Sequence, residues 1–131
     1  ITKWIGGVLG PVLNPFLSNP VLFVLIFVLL VYLTRFIVIS WLGVMTVYSV
    51  LLAPLAVQAG MHPFIPCFIA YVSVNVFFFE FQNLPYVSAI GIVGDMVDHN
   101  KNCVPYAIIW AAANLVACLI SVPYWKMIGM L

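Results

Sequence analysis

Arg35 stands in the middle of an apolar run that begins at Pro20 and ends near Gly60, and Glu80 closes a second run that begins at Phe64. An ionised side chain at bilayer depth is costly, so it faces a protein interior or a water-filled path and marks a site. Each of these charges lies beside a break in helical pattern and has polar neighbours: Thr34 and Ser40 around the first, and Gln82, Asn83, Pro85 and Tyr86 around the second. A guanidinium is a planar fork of donors that matches carboxylate or sulfate. Arg35 is therefore read as an anion ligand, as the ion-pair partner of Glu80 or, against its depth, as a side chain that snorkels to the interface. Glu80 is read either as that partner or as a proton-coupling group. Thr34, Ser40, Gln82 and Asn83 can line a pocket, cap broken helix ends, or do both.

The elements that must position these residues follow from the hydropathy pattern. Residues 1–19 are broken by Gly and Pro, with Trp4, Ile5, Val8, Leu9 and Val12 at helical spacing, which predicts an amphipathic helix lying at a membrane interface. Ser18 and Asn19 before Pro20 form a helix start. The block 20–60 carries one charge and no polar connection, although two full spans need about 20 residues each plus a connection in water. It is read as a re-entrant helical hairpin with its tip near 35–43. Irregular backbone at that depth is tolerated only inside protein or facing a cavity. Residues 61–98 read as one discontinuous transmembrane helix, opened by His62-Pro63, apolar through Phe79 and broken near 80–86. Residues 99–131 supply an aqueous loop and a final transmembrane helix from Val104 to about Ile128, with Trp125 and Lys126 suited to the far interface. The expected fold is thus all-α and integral to a membrane: an interfacial helix, a re-entrant hairpin, a discontinuous helix and a terminal helix.

Composition supports that class. The 131 residues are 66% hydrophobic and 5% charged, with net charge +1; a soluble domain carries about 25% charged residues. No basic patch exists, so nucleic acid is not an expected partner. Cys67, Cys103 and Cys118 have no metal-ligand spacing and read as small apolar side chains. His62 and His99 are too far apart to suggest a shared metal. Gly91 and Gly94 read as a packing notch, and Asn75 and Asn114, mid-helix, as interhelical hydrogen bonders. No catalytic constellation can be drawn, so an enzyme is not expected. The chain starts at Ile1 without a visible signal peptide, which suggests a piece of a longer polypeptide.

Hairpins and interrupted helices that meet at the midplane are parts of secondary transporters. The order of elements here resembles the second inverted repeat of the divalent-anion/sodium symporters, in the wider ion-transporter superfamily. The family tip, Thr-x-Phe-Ile-Ser-Asn-Ser/Thr, corresponds to Thr34, Arg35, Phe36, Ile37, Val38, Ile39 and Ser40. Its Leu-Pro-Ile corresponds to Leu52, Ala53, Pro54 and Leu55, and its Asn-Pro to His62-Pro63. The break, Pro-x-x-Thr-Pro-Pro-Asn-Ala, corresponds to the stretch from Glu80 to Val87, and Asp-Met-Val to Asp95-Met96-Val97. Thr34, Phe36, Ile37 and Ser40 of the tip and Pro85 of the break carry over. Val38-Ile39, Asn83 and Tyr86 replace family residues that bind sodium and substrate carboxylate.

The resemblance implies an elevator-type symporter for a small anion such as a dicarboxylate or sulfate. It implies coupling to Na+ or H+ with no tightly bound cofactor, and placement in a cell (plasma or inner) membrane. A first repeat or another copy of the chain would complete it, with a homodimer as the full-length form. The site expected is Thr34, Arg35, Ser40, Glu80, Gln82, Asn83, Pro85 and Tyr86. The competing reading is a non-transporting membrane scaffold or accessory subunit, held by an Arg35–Glu80 structural pair.

Overall fold

A computed structural model describes residues 19–94 and 98–131, so the expected interfacial helix at 1–19, all but its last residue, and the Asp95-Met96-Val97 motif lie outside the described residues. The described residues are helical, with no strand. Helix α1 is Pro20–Ile37, opened by proline in its first turn after Asn19, where the missing N–H costs nothing. It ends because Val38 is extended, at φ −105° and ψ 115°. Two residues after Val38, Ser40 starts α2, Trp41–Gln58, by accepting a hydrogen bond from the Gly43 N–H at 3.1 Å. Helix α2 continues through Pro54 and stops at Ala59, followed by Gly60 at φ +80°. That left-handed conformation is the usual glycine termination of a helix. The block 20–60 is thus two 18-residue helices joined by residues 38–40.

Helix α3, Phe64–Val74, is shorter than the sequence suggests. The run was expected to stay helical through Phe79, but the helix ends with Asn75 as its C-cap. Four aromatic or β-branched residues, Val76 to Phe79, follow in non-helical conformation. Aromatic and β-branched side chains lose rotamer freedom in a helix, and here the ring of Phe78 is better used outside one, stacked on Phe36 of α1 with centroids 5.5 Å apart. A 3-10 turn at Glu80–Gln82 leads to α4, Leu84–Val93. The break therefore opens at Asn75, well before Glu80. After a π-helical turn at His99–Cys103 comes α5, Val104–Met127, close to the expected last helix.

Among the described residues, three helical stretches are long and apolar enough to cross a membrane: Pro20–Ile37, Trp41–Gln58 and Lys101–Met127. The core joins α1, α2, α3 and α5 through Val24, Val28, Val31, Val44, Ile65, Ile69, Val122 and Trp125. A part-buried polar network crosses it. Asn114 on α5 donates from Nδ2 to Tyr32 Oη on α1 at 2.9 Å and to Ser73 Oγ on α3 at 3.1 Å, while Tyr32 Oη donates to the Ala111 carbonyl at 2.9 Å. Asn114 thus does bridge helices. Asn75, expected to do the same, donates to Tyr71 O of its own helix at 2.9 Å. Gly91 is no notch within the described chain, because a Cβ there would meet nothing within 4 Å.

Candidate functional site

Arg35 occupies the last turn of α1, where a cation is favoured by the helix dipole. It is 2% exposed. Its Nη1 donates to the carbonyls of Val38 at 3.1 Å and Ile39 at 2.6 Å, and its Nη2 to the carbonyl of Gln82 at 2.6 Å. The first two carbonyls belong to the non-helical connection after α1, and the third to the 3-10 turn 47 residues away. Arg35 therefore ties the two interruptions together. Glu80 is not among its partners and is exposed. The ion pair weighed from the sequence is replaced by neutral carbonyl dipoles, which solvate a guanidinium without cancelling its charge. Nε of Arg35, also buried, has no hydrogen-bond partner.

Gln82, 1% exposed, completes the tie. Its Nε2 donates to the Arg35 carbonyl at 2.8 Å, and its Oε1 accepts from the backbone N–H groups of Phe78 at 2.6 Å and Phe79 at 3.0 Å. A glutamine offers two donors and an acceptor with two lone pairs. Here it replaces backbone hydrogen bonds that the broken helix has lost.

Arg35, Gln82, Asn83 and Pro85 line one hollow of about 220 Å³, together with Trp41, Val74 and Asn75. Two helices begin at its wall. Trp41 is the first residue of α2, and Asn83 caps α4, with its Oδ1 accepting from the Tyr86 N–H at 3.2 Å. The first N–H groups of a helix have no intrahelical acceptor, and helix N-termini carry partial positive charge. The last turn of α1, with Arg35, and the end of α3, at Val74 and its C-cap Asn75, lie on the same wall, so the helix-end dipoles offset one another. What remains is the buried guanidinium, with no carboxylate partner among the described residues, a group whose chemistry suits a small anion.

The other expected site residues lie elsewhere. Thr34 lines a second hollow between α1 and α2, with its hydroxyl on Tyr48 Oη and on the Leu30 carbonyl. Ser40 is spent on capping α2. Tyr86 turns toward the π-helical turn, its Oη 2.9 Å from Cys103 Sγ and 3.0 Å from His99 Nδ1. Trp41 and Asn75 were missed. Their only signal in the sequence was position: Trp41 follows the hairpin cap, and Asn75 is an amide within an apolar run.

The described residues are helical without a strand, with three helices among them long and apolar enough to cross a membrane and the Arg35 hollow between two helix interruptions. No family model matches the chain, and no curated protein or solved structure is similar to it.

Proposed function

We propose that the chain is a membrane-embedded unit of a secondary transporter for a small anion, with the hollow at Arg35 as the binding site. One observation carries this reading: a buried guanidinium with no acidic partner among the described residues lines a polar hollow between two helix interruptions. A buried cation without a counter-ion is costly, and an arriving anion relieves that cost. Interrupted helices that converge on a substrate are the building blocks of alternating-access transporters. In this reading the unit moves against a scaffold supplied by another repeat or another copy of the chain in a cell membrane, and Na+ or H+ drives it. Purified full chain in proteoliposomes should take up labelled sulfate, succinate or propionate, and Arg35→Ala should abolish the flux. Arg35→Lys, which keeps the charge but loses the planar fork, should restore little of it. Uptake unchanged by Arg35→Ala would sink the reading.

A second reading, a membrane scaffold with no transport, is favoured by the three carbonyl hydrogen bonds that make Arg35 a clamp on two breaks. It expects no flux from the wild-type chain in the same assay, and a loss of assembly or folding in Arg35→Ala.

A further inference from the structure

We propose that the Arg35 hollow and the groove beside it together seat one anionic membrane phospholipid, with its phosphate at Arg35 and an acyl chain between α3 and α5. This rests on the anion-site reading above and adds a bound lipid that competes with the carried anion for that site.

Depth is the first argument. Helix α1 has 18 residues, so it rises about 27 Å, close to the roughly 30 Å of hydrocarbon in a bilayer. An α1 that spans sets Arg35, in its last turn, just under one headgroup layer. Lipid phosphates stand at that level, and cationic pockets between spanning helices bind headgroups.

The donors of the hollow are the second. Arg35 Nη2, Gln82 Nε2 and Asn75 Nδ2 each give one hydrogen bond and carry a further N–H. The Trp41 indole N–H and the Asn83 NH2 group add to these, and all five residues line the hollow. A phosphate diester brings several acceptor oxygens and one negative charge. That charge matches Arg35, the only charged side chain of the wall among the described residues. A zwitterionic lipid would bring a cation close to the same guanidinium.

The third argument is the groove. Asn75 also lines a groove of about 400 Å³ between α3 and α5, with Tyr71, Val72, Trp110, Ala113 and Ala117. The two helices run antiparallel here, because Phe68 packs on Trp125 while Ser73 meets Asn114. The end of α3 that shares the hollow with Arg35 therefore lies beside the first half of α5. From Trp110 to Ala117 the groove follows α5 for about 10 Å, away from the Arg35 end and into the bilayer core. Its mostly apolar walls suit an acyl chain, as the polar hollow suits a phosphate.

The test is equilibrium binding of radiolabelled phosphatidylglycerol to the full chain in micelles of an uncharged detergent. Unlabelled phosphatidylglycerol, phosphatidylcholine, glycerol phosphate and sulfate serve as competitors. Saturable binding is expected, with phosphatidylcholine competing at least about tenfold more weakly and the two chainless anions displacing the lipid only at much higher concentration. Ala113→Phe fills the groove from an exposed position outside the hollow and should weaken phosphatidylglycerol roughly tenfold. Ile109→Phe, exposed on α5 outside the groove, should leave it unchanged. Arg35→Gln should abolish the preference over phosphatidylcholine. Equal loss in both phenylalanine variants, or none in Ala113→Phe, overturns the groove assignment. Glycerol phosphate competing as well as phosphatidylglycerol makes the ligand a free phosphate, which overturns the lipid and leaves the anion site standing. Binding of labelled sulfate without any of phosphatidylglycerol has the same meaning. If neither the lipid nor sulfate binds, or if Arg35→Gln retains fold and preference, this inference and the anion-site reading both fail. Should Arg35→Gln not fold, the phenylalanine variants and the competition order decide.

Discussion

The side chains of Arg35 and Gln82 each hydrogen-bond the other's backbone carbonyl, across 47 residues of chain, at 2.6 and 2.8 Å. The lock is reciprocal and buried, so neither half can be removed without stranding the other. Gln82→Met keeps the side chain's length and leaves the Phe78 and Phe79 N–H groups and the Arg35 carbonyl without that partner. Each such orphan costs about 1–3 kcal/mol when buried. Because two of these bonds are only part-buried, the sum should fall near the lower end, about 3 kcal/mol. Denaturant unfolding in mixed micelles, followed by far-ultraviolet circular dichroism, measures it. A loss below about 0.5 kcal/mol, the ordinary size of a surface substitution, would mean that the lock does not hold the breaks together.

Charge exchange between Arg35 and Glu80 gives the opposite expectation. Glu80 is exposed, and Arg35 does not contact it. Glu80→Gln should change stability by no more than about 0.5 kcal/mol. Arg35→Glu should be severely destabilising, because it places a carboxylate against three carbonyl oxygens. Combining Arg35→Glu with Glu80→Arg should restore nothing, with a coupling energy within about 0.5 kcal/mol of zero. Rescue by the double exchange would reinstate the ion pair.

The network around Asn114 tests how three helices are joined. Asn114 bonds Tyr32 Oη and Ser73 Oγ, so α1, α3 and α5 share one amide. Interhelical hydrogen bonds in membranes average about 0.6 kcal/mol and reach about 1.7. A double-mutant cycle of Tyr32→Phe and Asn114→Leu should therefore return a coupling of roughly 0.6–1.7 kcal/mol in the same unfolding assay. Additive effects would show that the amide and phenol stabilise their helices separately.

Much of this arrangement is legible in the sequence, because long apolar runs and their punctuation are strong signals. Pro20 after Asn19, Ser40 before Trp41, Gly60 after Gln58 and Asn83 before Leu84-Pro85 mark helix ends through local chemistry alone. The helical span of α5 follows from its unbroken apolar length. The end of α3 is different. Only one amide, Asn75, marks it in an otherwise apolar stretch from Val74 to Phe79, and the helix stops there as the Phe78 ring packs on Phe36 and the Gln82 amide takes over backbone donors. The Phe36 contact joins residues distant in sequence and has no local signal. The same holds for Arg35. Its burial is expected from a charge in an apolar run, but opposite sign suggested Glu80 as partner, whereas the chain path brings carbonyls of Val38, Ile39 and Gln82 instead. Thr34 and Tyr86 show the same limit, since each is close in sequence to the hollow and is turned away from it by a hydroxyl partner on another helix or turn.

Two glycines provide a last prediction with opposite signs. Gly60 has φ +80° and Gly91 lies inside α4, and a Cβ on either would meet nothing within 4 Å. Sterics with neighbours therefore drop out, and only backbone conformation remains. Gly60→Ala must hold an L-residue in the left-handed region, which costs about 1–2 kcal/mol. The helix α2 terminus would lose that stability, and the 61–63 connection to α3 would be free to rearrange. Gly91→Ala removes a residue that is about 1 kcal/mol less favourable than alanine in a helix interior, so it should stabilise α4 by up to that amount. Thermal midpoints of the two variants in the same lipid nanodisc should move in opposite directions from the wild-type chain. A fall for Gly91→Ala would mean that its face of α4 is covered closely by something the isolated chain does not contain, such as another repeat or a second copy, and the glycine would then be a packing notch after all.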